Sequence, residues 1–153
     1  MNDCKQYSTF FLDGLLLGVD VRRVQEVLRP QEMTRVPLAP PMIRGLVNLR
    51  GQIVTAIDVR RRFDLPPLPA DQSPMNVVVR CEDGAVSLLV DEIGDVVEIQ
   101  DEDFAPPPVT LKGAARELIT GVYKLKDSLM LILDTDRAVN LPPTFNTPAL
   151  KAK

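Results

Sequence analysis

Apolar residues along this chain fall into short runs separated by turn-forming dipeptides, a pattern that predicts strands and turns more than long helices. Tyr7–Leu12 and Leu15–Val19 flank Asp13-Gly14, a strong hairpin signal. Asp20 can cap a short helix over 21–27, where Val21, Val24, Val27 and Leu28 fall at helical spacing. Gln31–Val36 reads as a short strand ended by Pro37, and Pro40–Ile43 as a loop or single turn. Val59–Phe63 forms a further helical turn capped by Asp58. Residues 64–75 contain four prolines and almost no periodicity, which marks a surface linker. Strands resume at Asn76–Cys81 and Ala85–Val90 around Asp83-Gly84, followed by Val96–Ile99 and a stiff loop at Ala105–Pro108. A last hairpin, Ile119–Leu125 with Leu129–Leu133, turns at Asp127-Ser128, and Asp134 caps a short helix through Val139. The tail from 141 to 153 reads as flexible.

The stretch 44–58 is the most informative. Two apolar runs flank Arg50-Gly51, and a turn there places Leu49 opposite Gln52, Asn48 opposite Ile53 and Val47 opposite Val54. One face of the ribbon then carries Val47, Leu49, Val54 and Ala56; the other carries Leu46, Ile53 and Ile57 beside Asn48 and Thr55. A surface hairpin usually has one polar face. This one is apolar on both, so it needs its own core and a second cover.

Composition narrows the chemistry. The chain has 153 residues, 45% of them hydrophobic and 25% charged, which suits one domain or two small lobes. It has no histidine and no tryptophan. Without histidine there is no Ser-His-Asp or Cys-His site and no ordinary zinc site, so catalysis would rest on carboxylates, lysine or backbone groups. No cofactor fingerprint is present: the glycines form neither a P-loop nor a dinucleotide motif. A net charge of −3 gives no electrostatic reason to expect nucleic acid. No apolar run approaches the ~20 residues needed to span a bilayer, so direct membrane insertion is not expected. Cys4 and Cys81 form no framework and no metal spacing, which suits thiols in a reducing compartment; a bridge between them stays open. The acidic residues Asp91, Glu92, Asp95, Glu98, Asp101, Glu102 and Asp103 show no metal-loop spacing and read as a solvated face, as does Arg60-Arg61-Arg62.

The two halves resemble each other. Gly45–Asp58 matches Gly121–Asp134 without a gap at an offset of 76 residues, with Arg61 opposite Arg137. A weaker echo links Leu16–Leu28 to Ser87–Ile99 and sets Asp20 opposite Asp91. Two β-hairpins can look alike by chance; the alternative, preferred here, is a pair of similar barrel-like lobes. Neither lobe alone would bury a generous core, and packing them face to face would cover the second apolar face of the central ribbon. The lobes are expected at about 7–66 and 75–140, joined by the 64–75 linker.

Two charged residues resist a bland reading. Arg50 sits at the tip of the most apolar hairpin, and Glu26 interrupts a run otherwise given to burial. A plain surface pair between them would contribute little, whereas a pair fixed in a partner-facing surface would set orientation; spacing leaves both readings open.

Asp-Val-Arg-Arg-Val-Gln-Glu-Val (20–27), Thr-Arg-Val-Pro (34–37) and Ile-Arg-Gly-Leu-Val-Asn-Leu-Arg-Gly-Gln-Ile-Val (43–54) with Asp58 resemble the CheW family of chemotaxis coupling proteins. The similarity continues through Leu-Leu-Val-Asp (88–91), Leu-Ile-Thr-Gly-Val (118–122) and Leu-Ile-Leu-Asp (131–134), and covers roughly 7–140 in order. It departs at Ser8, where an apolar residue is sometimes found, and at Thr55, commonly a proline. The resemblance implies a mainly β fold of two SH3-like five-stranded barrels with short helices, forming a single domain. It implies a non-enzymatic adaptor, without cofactor or metal, that joins the cytoplasmic tip of a methyl-accepting chemoreceptor to the regulatory domain of the histidine kinase CheA. Such an adaptor is cytoplasmic and peripheral to membrane-anchored receptor arrays. Carried over by position, Val21, Val24 and Glu26 fall at the kinase-facing surface, and Gly45, Asn48, Leu49 and Arg50 near the receptor groove, where Arg50 pairs with Glu26. The family also includes adaptors of pilus-type chemosensory systems, and CheV-like scaffolds carry the same domain. A carboxylate-based enzyme and a nucleic-acid-binding barrel are the rivals outside it.

Overall fold

Turn chemistry and alternating burial fix most of the elements. The computed structural model describes residues 4–81, 84–111 and 113–139. Strands β1 (Cys4–Leu12) and β2 (Leu15–Asp20) form the expected hairpin, with Asp13 and Gly14 both at positive φ. Asp20 accepts a hydrogen bond from the Arg22 N–H, but the turn it caps is a single 3-10 turn, Val21–Arg23. The helix expected over 21–27 gives way to strand β3 (Val24–Leu28), which pairs with β6 (Met75–Cys81) through a bulge between Val24 and Glu26. Valines at 21, 24 and 27 fit a helical stripe, yet β-branched side chains also favour a pleated surface, and pairing with β6 decides the outcome. The strand expected at 31–36 reduces to one bridge between Thr34 and Leu46.

Strands β4 (Ile43–Leu49) and β5 (Gln52–Asp58) pair in the expected register, Leu49 to Gln52, Asn48 to Ile53 and Val47 to Val54. Helix α1 (Val59–Arg62) follows, capped by Asp58. Beyond the linker, β6 pairs with β7 (Gly84–Val90); Asp83 of the expected turn lies outside the described residues. Then come β8 (Glu92–Gln100), β9 (Phe104–Ala105), α2 (Ala114–Leu118), β10 (Ile119–Lys124), β11 (Leu129–Leu133) and α3 (Thr135–Val139). The tail read as flexible from 141 to 153 lies outside the described residues.

The strands form two sheets, ordered β3-β6-β7-β5-β4 and β8-β1-β2-β11-β10-β9. The second thus carries a sixth, two-residue strand beside the expected five. Each sheet wraps its own apolar cluster. The first encloses Val47, Leu49, Val54, Ala56, Val78 and Leu89; the second encloses Tyr7, Ile99, Tyr123, Met130 and Ile132. The fold is mainly β, two SH3-like lobes.

The lobes do not divide the chain at the 64–75 linker as expected. Each repeat contributes its leading hairpin to the other's sheet: β1–β2 join β8–β11, while β6–β7 join β3–β5. The internal repeat is otherwise plain in the backbone. β5 runs parallel to β7 as β11 runs parallel to β2, and both β4–β5 and β10–β11 bulge just before the matched glycine.

The largest core lies between the sheets. Val77, Val79, Leu88 and Val90 point from β6–β7 toward Phe10, Leu12, Leu17 and Val19 of β1–β2, while the intervening Val78 and Leu89 point into the first lobe's own interior. Alternation along a strand buried on both faces produces this double duty. The second cover therefore belongs to the exchanged hairpins, not to the β4–β5 ribbon. The expectation that the sister lobe roofs that ribbon is corrected: Ile53 on its reverse face is 61% exposed and Asn48 is exposed beside it, while only Ile57 at the far end is buried.

Candidate partner-binding site

The tip of β4–β5 is a two-residue turn with both Arg50 (φ 52°) and Gly51 (φ 91°) in the left-handed region, as a twisted hairpin requires. Asn48 steadies it by accepting the Gly51 N–H at 2.9 Å through its side-chain oxygen. Left-handed backbone is costly for arginine, so the side chain at that position needs a reason. It has one: the Arg50 guanidinium donates to Glu26 on β3. β3 and β4 are opposite edges of the five-stranded sheet, so this pair ties the two edges together and closes the lobe. The Glu26 side chain is mostly shielded at 20% exposure while Arg50 stays 71% exposed, leaving one face of the guanidinium open to a partner.

The residues expected to meet a kinase lie together on one edge. Val21, Val24 and Glu26 are all half-buried along the 3-10 turn and β3, with Val24 also packing against the inter-lobe core. The residues expected near a receptor groove separate into two roles. Asn48 and Arg50 are exposed at the tip, whereas Leu49 is buried in the first lobe and Gly45 is buried under the crossing segment at Thr34. A Cβ at Gly45 would sit 2.7 Å from the Thr34 carbonyl oxygen, so glycine lets two backbones approach there. Leu49 and Gly45 therefore shape the surface that Asn48, Arg50 and Ile53 present.

A second cluster escaped the sequence reading. Arg60 is buried, not a solvated helix residue: its Nε and Nη2 donate to the two carboxylate oxygens of Asp91 at 2.8 and 2.6 Å, and Nη1 donates to the Pro66 carbonyl at 2.6 Å. Asp91 also accepts the Asp13 N–H at 2.7 Å, and its own N–H donates to the Phe11 carbonyl. The fork-on-fork pair thus joins α1 of one lobe to the β1–β2 turn of the other. Burial raises the Asp91 carboxyl, but the bonds from Arg60 and Asp13 outweigh it and hold the pKa below the ordinary value; on Arg60, the bond to Asp91 wins over burial and raises it. One signal for this site was in the sequence: Asp91 occupies the place of Asp20 in the weaker repeat.

None of these groups forms an acid/base constellation, and among the described residues no cluster of metal-ligating side chains occurs. No helix among them is long and apolar enough to cross a membrane. What the geometry offers is an exposed, charge-locked hairpin with an apolar flank, on a two-lobed body with a shared core.

Residues 6–142 match the family described as the CheW-like domain. The chain is 30% identical over 133 residues to the chemotaxis protein CheW of Treponema pallidum, covering 84% of this chain and 78% of that one. It is 28% identical to the chemotaxis protein CheW of Klebsiella aerogenes, covering 89% and 82%. The crystal structure of the scaffolding protein TtCheW from Thermoanaerobacter tengcongensis superposes with a TM-score of 0.82 at 26% identity, covering 95% of this chain and 98% of that one.

Proposed function

We propose, from the premise that this chain belongs to the CheW family of chemotaxis scaffolding and coupling proteins, that it is a non-enzymatic adaptor joining chemoreceptors to the histidine kinase CheA. One observation supports the reading beyond family membership. The β4–β5 ribbon keeps Ile53 of its reverse face in solvent, beside a tip whose arginine is held by Glu26. An exposed apolar anchor beside a fixed charge is the combination by which modest interfaces gain specificity: the anchor supplies affinity and the charge fixes register.

In this reading the edge formed by Val21, Val24 and Glu26 meets the kinase regulatory domain. Asn48 and Arg50, supported by Gly45 and Leu49, meet the receptor's cytoplasmic tip. Glu26 and Arg50 bond to each other, so the two surfaces adjoin and a load on one is felt by the other. The protein acts in the cytoplasm at the membrane-anchored array, with no catalytic step of its own. Repetition along an array would give avidity that a single modest contact lacks. A pull-down from the native cytoplasm with the purified chain as bait tests this. Co-recovery of a chemoreceptor and a histidine kinase is expected, and recovery of neither would overturn it.

A further inference from the structure

The segment 35–43 enters β4 through two stiff turns. Ala39 donates its N–H to the Val36 carbonyl at 3.3 Å, and Ile43 donates to the Pro40 carbonyl at 2.9 Å. Pro37 and Leu38 fill the centre of the first turn, with Leu38 at φ 65°. Glycine or asparagine is the usual choice there, because a larger side chain crowds the backbone at positive φ. Leucine bears that cost without gaining burial: Leu38 is 79% exposed. Neither local preference nor packing within the chain accounts for it, whereas contact with another molecule does.

Leu38 borders an open groove of about 1000 Å³ at the end of the β4–β5 ribbon away from the Arg50 tip. Pro37, Pro40, Pro41 and Pro67 line it, so its walls lose little freedom when something binds. Three arginines, Arg35, Arg44 and Arg61, face one carboxylate, Asp58. That carboxylate is already engaged, accepting Arg44 Nη1 at 3.2 Å and the Arg61 N–H at 3.3 Å. Arg35 and Arg61 are both exposed, and their guanidiniums bond to no group among the described residues. The second repeat shows the contrast. Arg137 stands where Arg61 stands, and it is used internally, donating to the Glu117 carbonyl at 3.2 Å and pairing with Asp134 at 3.7 Å. The groove therefore holds an excess of positive charge beside an exposed apolar residue, in a chain whose net charge is −3.

We propose that this groove docks an acidic segment of a partner protein, one that carries a bulky apolar residue among its carboxylates. The carboxylates pair with Arg35 and Arg61, and the apolar residue packs on Leu38 and the proline walls. Clustered guanidiniums recognise acidic motifs through forked bonds, and the apolar contact supplies affinity that exposed charge pairs lack. The groove is separate from the Glu26–Arg50 tip, so the inference holds whichever partners that tip takes.

Fluorescence anisotropy of a labelled Glu-Glu-Leu-Glu-Glu-Leu-Glu-Glu peptide, titrated with the full chain, tests it. Salt-sensitive binding is expected, about tenfold weaker for Leu38→Asn and for Arg61→Glu. Asparagine suits the left-handed turn position, so Leu38→Asn removes the anchor and keeps the turn. Arg116→Glu, the same charge reversal at an exposed arginine of the second lobe, should bind as the parent does. Absence of binding, equal weakening by Arg116→Glu, or equal binding of a peptide with serine in place of leucine would overturn the proposal. So would capture of phosphatidylglycerol vesicles in place of the peptide, or concentration-dependent dimerisation lost in Leu38→Asn, which would assign the groove to a membrane or to a second copy.

Discussion

The two repeats share a backbone and differ in where they set their charges. Asp91 and Asp20 are counterparts, yet Asp91 takes Arg60 across the lobe boundary with both side chains at most 15% exposed, while Asp20 takes Arg22 two residues away, with that arginine 81% exposed. The hairpins diverge in the same way. The β4–β5 tip is a two-residue turn locked to Glu26; the β10–β11 tip is a longer connection, 125–128, closed by one bond from the Leu125 N–H to the Ser128 carbonyl. Beside them, β10 is lined by β9, whereas β4 has only the Thr34 bridge. One scaffold duplicated in this way has freedom to assign each copy a task. The buried pair holds the lobes together, and the locked tip faces outward.

Breaking the buried pair gives the largest expected effect. Asp91→Ala leaves the buried Arg60 guanidinium with the Pro66 carbonyl and, at 3.7 Å, the half-exposed Asp13 carboxylate, and loss of the main partner of such a pair costs about 3–5 kcal/mol. Asp20→Ala removes a cap and an exposed pair, and should cost only about 1 kcal/mol. Urea midpoints of the two variants measure the contrast, and equal losses would erase it. The pH dependence follows from the depressed Asp91 carboxyl. Its contribution is complete above the unfolded-state value of about 4 and is lost as pH falls through the lower folded value. Acid unfolding of Asp91→Ala should therefore show a shallower stability loss below about pH 4 than the parent.

The matched glycines sharpen the comparison at smaller scale. At Gly45 an added Cβ meets the Thr34 carbonyl, a backbone atom that can yield only if the whole crossing segment moves, so Gly45→Ala should cost about 1–3 kcal/mol. At Gly121 the nearest atoms belong to the Phe104 ring, which packs edge-on against Tyr123 at 5.2 Å and is nearly half exposed. That ring can swing away, forfeiting an aromatic contact of about 1 kcal/mol, while the Ala105 carbonyl oxygen at 3.1 Å need give by only a few tenths of an ångström. Thermal melts that rank Gly121→Ala as the costlier change would show that β9, not the Thr34 bridge, is the stiffer neighbour.

These contrasts show what was legible in the sequence. Turn dipeptides and capping aspartates announce themselves within four or five residues, and Asp13-Gly14, Asp58 and Asp134 all act as their local chemistry demands. The ribbon register followed from Arg50-Gly51 alone. The hairpin exchange was not legible, because alternating apolar residues state that both faces of β6 and β7 are buried without stating by which sheet. Arg60 was hidden for the same reason: three consecutive arginines look alike until the fold brings Asp91 to one of them. Glu26 and Arg50 were legible as a pair, and the structure joins the two residues; that the pair faces a partner belongs to the proposed role.

Locking at only one tip leads to a smaller effect on stability and a larger one on assembly. Arg50→Glu sets two carboxylates against each other at a largely exposed position, costing under about 1 kcal/mol of stability. In the proposed role it should nonetheless abolish co-recovery of receptor and kinase, and the charge swap Glu26→Arg with Arg50→Glu should restore it in part. Lys126→Glu, the matching change at the second tip, should leave both stability and recovery unchanged.

The smallest change in stability isolates the apolar anchor itself. Ile53 and Leu129 occupy the same place in the two hairpins and are exposed to similar extents, 61% and 54%. Replacing either by lysine removes apolar surface that solvent already touches, so each should alter the unfolding free energy by no more than about 0.5 kcal/mol. If exposure alone marked a contact, both substitutions would weaken partner capture equally. The difference lies in the ground beside them: Ile53 is cross-strand from Asn48 on a tip held by Glu26, while Leu129 is cross-strand from Lys124 on a loop with a single closing bond. An anchor on a pre-ordered surface loses little entropy on binding, and one on an unfixed loop loses more. Ile53→Lys should accordingly lower receptor and kinase recovery at least about tenfold with Leu129→Lys close to parent, and the reverse order would move the partner surface to the second lobe.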